Sequence, residues 1–223
     1  MHFHVVTLFP EVVDAYANAS ILGRAQEQGL LSVEAVQLRE FAGNKWGKVD
    51  ERPFGGGPGM VLRAEPVVDA VQAIVEKIPA DAKGKKKTKI LITAAGGTEF
   101  TNAYARNLVK KYDNVIIVCG RYEGIDVRAK KILRAEEISV GPYILTGGEV
   151  PAMTIIDATA RQIPGVLGKS ESLEESRVAS HDIYTRPEII ERAGKKYRAP
   201  KVLLSGHTAK INEWKEQKRS RPE

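Results

Sequence analysis

The sequence predicts an α/β fold, with a parallel sheet and helices on both of its faces. Three observations predict it. Apolar runs recur at 2–9 (HFHVVTLF), 89–95 (KILITAA) and 114–120 (NVIIVCG), and they do not alternate with polar residues. Strands without alternation are buried on both faces, as in parallel sheets. Segments with a helical period separate these runs, as crossover connections require. Ligands of such sheets sit at the carboxyl ends of strands. That makes 94–97, 120–124 and 140–148 the candidate turns.

The elements follow in order. After the 2–9 strand, Pro10 occupies a first helical position, where its missing N–H costs nothing. That helix is expected to run to Gln28 and stop at Gly29. Residues 30–39 (LLSVEAVQLR) partly alternate and read as a second strand. His2 and His4 point to one side of the first strand, but a metal pair would need ligands that the sequence does not place nearby. Residues 42–60 form a long loop with six glycines. Loops of this length in compact domains are usually functional or disordered. The glycines and proline at 55–59 suggest tight turns and close backbone approach, and Asp50, Glu51 and Arg52 are the polar content. Val67, Val71, Ile74, Val75 and Ile78 keep a helical period over 65–78, and Pro79 ends it. A further helix is expected over 101–111, between the strands at 89–95 and 114–120.

Composition bounds the function. A chain of 223 residues, 43% hydrophobic, holds one large domain, or one domain and a small appendage. The single cysteine, Cys119, cannot form an internal disulfide, so a reducing cytoplasm is the expected compartment. No apolar run approaches the ~20 residues of a membrane span, and MHFHVVTLF lacks the pattern of a signal peptide. The net charge of +6 fits a polyanionic partner. Basic clusters stand at 83–89, 192–201 and 215–221. Tyr197 and Trp214 lie in or next to the last two, and aromatics among basic residues can stack on bases.

The chemistry concentrates between 114 and 168. GRYEGID (120–126) follows a buried strand directly, and its glycines let backbone approach a ligand. In VGPYILTGGEVP (140–151), the backbone at 143–145 can bond the Watson–Crick edge of an adenine while Ile144 and Leu145 pack on its faces. Gly147 and Gly148 let the chain turn under the ligand, and Pro151 opens a helix that ends near Arg161. An arginine ending a helix is by itself most often a cap or an ion-pair residue. No nucleotide fingerprint is met. GVLGKS (165–170) lacks the earlier P-loop glycine, since residue 163 is Ile163, and GGGPG (55–59) is not GxGxxG.

The stretches VDERPFGGGPGM, VCGRYEGID, YILTGGEVPAMTIIDATAR, IPGVLG, YTRPE and LLSGH together resemble the bacterial tRNA (guanine-37-N1)-methyltransferases, the TrmD family, in register over nearly the whole chain. The resemblance implies S-adenosylmethionine (SAM) as methyl donor, guanine 37 of tRNA as target, a SPOUT fold with a C-terminal trefoil knot, and an obligate homodimer. It implies a SAM-binding domain at 1–164, a linker at 165–186 and a small helical tRNA-binding domain at 187–223. Two helices are expected in that last part, at 187–192 and 208–218. The implied cofactor-binding residues are Ala95, Gly120, Tyr122, Glu123, Gly124, Val140, Gly141, Pro142, Tyr143, Ile144, Leu145, Gly147, Gly148 and Pro151. No metal ligand set is assigned, but the family's magnesium dependence makes Glu123 a candidate Mg2+ contact.

Methyl transfer to guanine N1 needs a base for the N1 proton and a cation for the charge that develops on O6. Arg161, within DATARQIPG, matches the family's catalytic arginine. The base is less direct. The family has Asp-Ser-Phe in the linker, where this chain has Glu174-Glu175-Ser176-Arg177, so Glu175 is the first candidate and Asp182 the second. Ala95 stands where the family usually has proline, and Pro142 where it is commonly acidic. Two other readings remain: a catalytically inactive RNA-binding dimer, and a knotted methyltransferase acting on another RNA.

Overall fold

The computed structural model describes residues 1–79, 87–167 and 182–218. Most of the 83–89 lysine cluster, part of the 215–221 cluster and Glu175 lie outside the described residues. The chain divides into two compact units, Met1–Gly168 and Lys169–Glu223.

In the first unit the order is β1 (His2–Thr7), α1 (Pro10–Ala17), α2 (Ser20–Glu27), β2 (Ser32–Gln37) and a 3-10 turn at Leu38–Phe41. Then come β3 (Asp50–Glu51), β4 (Val61–Leu62), α3 (Ala64–Lys77), β5 (Thr88–Glu99), α4 (Asn102–Lys111) and β6 (Asn114–Val118). The unit closes with α5 (Val127–Leu133), β7 (Glu136–Ser139) and α6 (Glu149–Ala160). The second unit holds β8 (Ile189–Arg192), β9 (Lys195–Arg198), α7 (Lys201–Leu204) and α8 (Thr208–Gln217).

Five strands form one parallel sheet in the order β2-β1-β6-β5-β7. Side-chain alternation divides the core. Phe3, Val5, Val115, Ile117 and Leu91 pack with buried residues of α1, α2 and α6 and with Leu108 of α4. Val6, Ile116, Val118 and Ile92 face the other way, onto α3 and Ala129 of α5. Every residue of β6 is buried, which is why that run carries no polar alternation. The expected parallel sheet with helices on both faces is therefore what the chain forms.

Four local expectations need correction. The helix from Pro10 to Gln28 is two helices, broken at Asn18–Ala19, with Ser20 at φ 49. The Asn18 carbonyl would lie 2.4 Å from a Cβ at Gly23, so α2 turns tightly against the end of α1. Strand β5 continues to Glu99, because residues 94–97 loop out between two pairings with Ile138. Helix α5 was not expected, although Asp126 caps it by accepting from the Arg128 amide at 2.9 Å. The expected helix at 187–192 is instead strand β8, hairpinned to β9. Ala193 and Gly194 both have positive φ, which is the two-residue turn that suits a hairpin's twist. The C-terminal part is thus a hairpin with two helices, not purely helical. Helix α8 matches its expected place.

His2 and His4 face strand β2, with His2 Nδ1 2.8 Å from Ser32 Oγ and His4 Nδ1 2.9 Å from Glu34 Oε2. At the edge of the sheet, Lys89 Nζ lies 2.5 Å from Glu136 Oε2. Burial works to raise the Glu136 carboxyl, but hydrogen bonds from Lys89 and Tyr104 outweigh it and hold the group below its ordinary value of 4.5. A carboxyl lowered by folding stabilises the protein above its unfolded value, and that stability is lost as pH falls through the folded value. The Glu136→Gln variant should therefore lose melting temperature near neutral pH and show a flatter decline below about pH 5 than the parent. Thermal melts at stepped pH check this; parallel acid profiles would contradict it.

Candidate active site

A cavity of about 430 Å³ opens at the carboxyl ends of β5, β6 and β7. Its size falls within the range of about 300–1,000 Å³ usual for small-molecule sites. Three chain segments wall it, and they are the three turns expected from the sequence. Ala94 and Ala95 come from the outward loop of β5, 120–126 from the turn after β6, and 138–148 from the end of β7 onwards. Of the residues assigned to the cofactor, all but Pro142 line this cavity.

The walls are fixed by backbone geometry. The Gly120 amide donates to Thr93 Oγ1 at 3.0 Å, and the Gly148 amide to the Gly120 carbonyl at 2.8 Å. Gly148 has no room for a side chain. A Cβ there would lie 2.1 Å from Thr93 Oγ1 and 2.6 Å from both Cys119 Cα and the Gly120 nitrogen. The 120–126 turn holds Tyr122 at φ 57 and Gly124 at φ 122. It is pinned from outside: Glu123 N donates to Met60 O, Leu62 N to Gly124 O, and Asp126 N to Leu62 O.

A buried polar network braces the same walls. Glu149, in the first turn of α6, accepts from Thr7 Oγ1 at 2.7 Å and lies 3.3 Å from Arg121 Nη2. Arg121 also donates to the Thr146 carbonyl at 3.1 Å and stacks on Phe9, 4.4 Å from the ring centroid. One arginine thus ties the end of β1, the turn after β6 and the cavity wall before α6. Sequence reasoning gave no role to Thr7, Thr93, Arg121 or Glu149. Arg121 and Glu149 sit inside quoted motifs, whereas nothing local marks Thr7. Cys119 is also buried here. Burial, then the Glu149 carboxylate, raise its thiol well above the ordinary range, so it is a packed residue and not a nucleophile.

The inner face of the 143–148 wall is unfinished. Ile144 is 88% exposed, and Tyr143 and Leu145 are exposed beside it. Among the described residues, the backbone N–H and C=O groups of Ile144 and Leu145 have no partner. Apolar surface next to open donors and acceptors fits a flat heteroaromatic ring such as adenine. Among the described residues no three of His, Cys, Asp and Glu converge on one point.

Of the residues assigned to catalysis, Arg161 is not among those that line this cavity. Arg161 caps the far end of α6, while Pro151, near the start of that helix, lines the wall. Ten residues of helix separate them by ~15 Å along the axis. Among the described residues the Arg161 guanidinium makes no hydrogen bond or ion pair. Asp182 lies at a bend in the second unit, and Glu175 lies outside the described residues.

The chain resembles known proteins along its whole length. It matches the family model described as tRNA (Guanine-1)-methyltransferase TrmD over residues 1–222. A tRNA (guanine-N(1)-)-methyltransferase of Lachnospira eligens is 44% identical over 98% of this chain and 89% of its own. One of Desulforamulus reducens is 41% identical over 96% of this chain and 82% of its own. One of Clostridioides difficile is 39% identical over 96% and 90%. The chain belongs to the tRNA (Guanine-1)-methyltransferase TrmD family.

Proposed function

We propose that this chain methylates N1 of the guanine at position 37 of tRNA, beside the anticodon, with SAM as donor. The observation that carries the reading is the cavity wall at 143–148, whose open backbone groups and apolar faces suit adenine. Bound there, SAM supplies an electrophilic methyl group on a sulfonium. The chain's own residues must then orient the guanine, exclude water and move one proton. Gly120 and Gly148 let the backbone close around the donor, and Thr93 and Arg121 hold the two turns in place. A linker carboxylate, Glu175 first and Asp182 second, accepts the N1 proton. Arg161 stabilises the charge that develops on O6.

The same reading has the enzyme work as a homodimer. Its support is the ~15 Å of helix between Pro151 and Arg161, so that Arg161 serves the cavity of a second subunit. Val12 and Tyr16 on α1 and Val150 on α6 are exposed apolar residues that such a contact would cover. A trefoil knot is part of this reading. The strand order and the tight seat of Gly148 against Thr93 and Cys119 support it. The first unit is the methyltransferase, and the second grips tRNA through its basic residues in a reducing cytoplasm. No helix among the described residues is long and apolar enough to cross a membrane.

The direct test is incorporation of labelled methyl from SAM into unmodified tRNA. Incorporation should require guanine at position 37; labelling independent of that base would overturn the reading. Arg161→Ala should lower single-turnover kcat about 100-fold or more while SAM still binds. Either Glu175→Gln or Asp182→Asn should slow the same step by about 100-fold at neutral pH; near-normal rates in both would remove the assigned bases. Gly148→Ala should abolish SAM binding by calorimetry and destabilise the fold by about 1–3 kcal/mol, since overpacking forces the walls apart.

A further inference from the structure

The loop between β3 and β4 carries an aromatic side chain that the reaction outlined above does not use. Phe54 is 97% exposed. A single exposed apolar residue is ordinary on a protein surface. The placement of this one is not. Strands β3 and β4 pair Asp50 with Leu62 and Glu51 with Val61, so residues 52–60 form a closed loop. Its return end is bonded to the cavity rim. Met60 O accepts from Glu123 N at 3.0 Å, and Leu62 N donates to Gly124 O at 3.0 Å. A Cβ at Gly59 would lie 2.5 Å from Glu123 Oε1, so backbone is pressed against the rim. Gly55, Gly56, Gly57 and Gly59 all have positive φ, a path that is strained for other residues. The loop therefore carries Phe54 on its outgoing arm, with its return end on the wall of the site.

The surroundings suit a polyanion. Arg52, two residues before Phe54, is in no ion pair among the described residues, whereas Lys48 is paired with Glu51 and Arg63 with Glu65. Trp46, an exposed aromatic that precedes β3, already has the Lys45 ammonium over its ring, 4.5 Å from the centroid. Among the described residues Phe54 meets no other ring and no cation. Guanine N1 lies on the Watson–Crick edge, so a methyltransferase must take the target base out of its stack. The nucleotide beside it then loses a stacking partner. An aromatic face on a loop anchored to the rim can replace that partner, whichever base it is.

We propose that Phe54 is the stacking platform for a nucleotide flanking the target guanine, with Arg52 on the adjoining phosphate. This rests on the tRNA methyltransferase reading and adds a substrate-positioning residue to it. The ring's occupant is RNA and not a second copy of this chain.

The experiment uses the full-length chain, SAM and an unmodified tRNA transcript with guanine at position 37. Phe54→Ala should lower kcat/KM for tRNA by about 10-fold or more, the range of one lost base–aromatic stack. The KM for SAM and the melting temperature should stay at parent values, because the ring packs on nothing within the protein. Phe54→Trp should restore most of the lost kcat/KM. With transcripts made abasic at one flanking nucleotide or the other, parent and Phe54→Ala should become equal for one of the two. An unchanged kcat/KM in Phe54→Ala would overturn the proposal. So would a change in sedimentation of that variant, which would put the ring between protein copies. If the parent itself leaves guanine N1 unmethylated, the underlying functional reading fails and the platform falls with it.

Discussion

The buried pair of Arg121 and Glu149 is the interaction on which the site depends. Glu149 is almost fully enclosed, and an enclosed carboxylate must be paired and hydrogen-bonded to be tolerated. Three things hold it: the Arg121 guanidinium, the Thr7 hydroxyl and its place in the first turn of α6, where the helix dipole favours negative charge. Each belongs to a different part of the sheet's carboxyl edge. The turn after β6 cannot shift without moving Arg121, and α6 cannot shift without moving Glu149. Removing one partner from such a pair costs about 3–5 kcal/mol, because the other is left as an unpaired buried charge. The flat, open wall at 143–148 is steady because Arg121 also holds the Thr146 carbonyl.

Helix α6 spans the sheet from one end to the other. Its first turn belongs to the cavity, and its last residue stands at the opposite end of the sheet, near the start of β2. Gly165, just beyond the helix, approaches Leu30 within 3.4 Å of where a Cβ would be. In a parallel sheet the helices run back against the strands, so a helix that starts at the site must end away from it. The stretch from Gly147 to Arg161 is contiguous in the sequence, yet folding sets its two ends apart. Proximity along the chain was a poor guide to proximity in space.

What the sequence made legible follows from local physics. The apolar run of β6 is buried on both faces, so its lack of alternation told the sheet type directly. Glycines at 120, 147 and 148 marked close backbone approach, and each lines the cavity. Three features were out of reach for stated reasons. Thr7 and Glu149 stand 142 positions apart, and no local pattern links them. The seven residues of α5 are too few to display a helical period. The β8–β9 hairpin was hidden by Pro187, which reads as a helix start, while the Ala193–Gly194 turn was the better signal. Ile189 to Arg192 are all exposed, so burial gave no period to read.

Gly148 has a genetic consequence. Of the three atoms that crowd a side chain there, only the Thr93 hydroxyl belongs to a side chain; the Cys119 Cα and the Gly120 nitrogen are backbone. Shrinking residue 93 would relieve the closest contact and leave the other two. No single substitution elsewhere can supply the missing space, because backbone atoms cannot be trimmed. A screen for suppressors of a larger residue at 148 should come up empty of second-site changes and return only reversion to glycine.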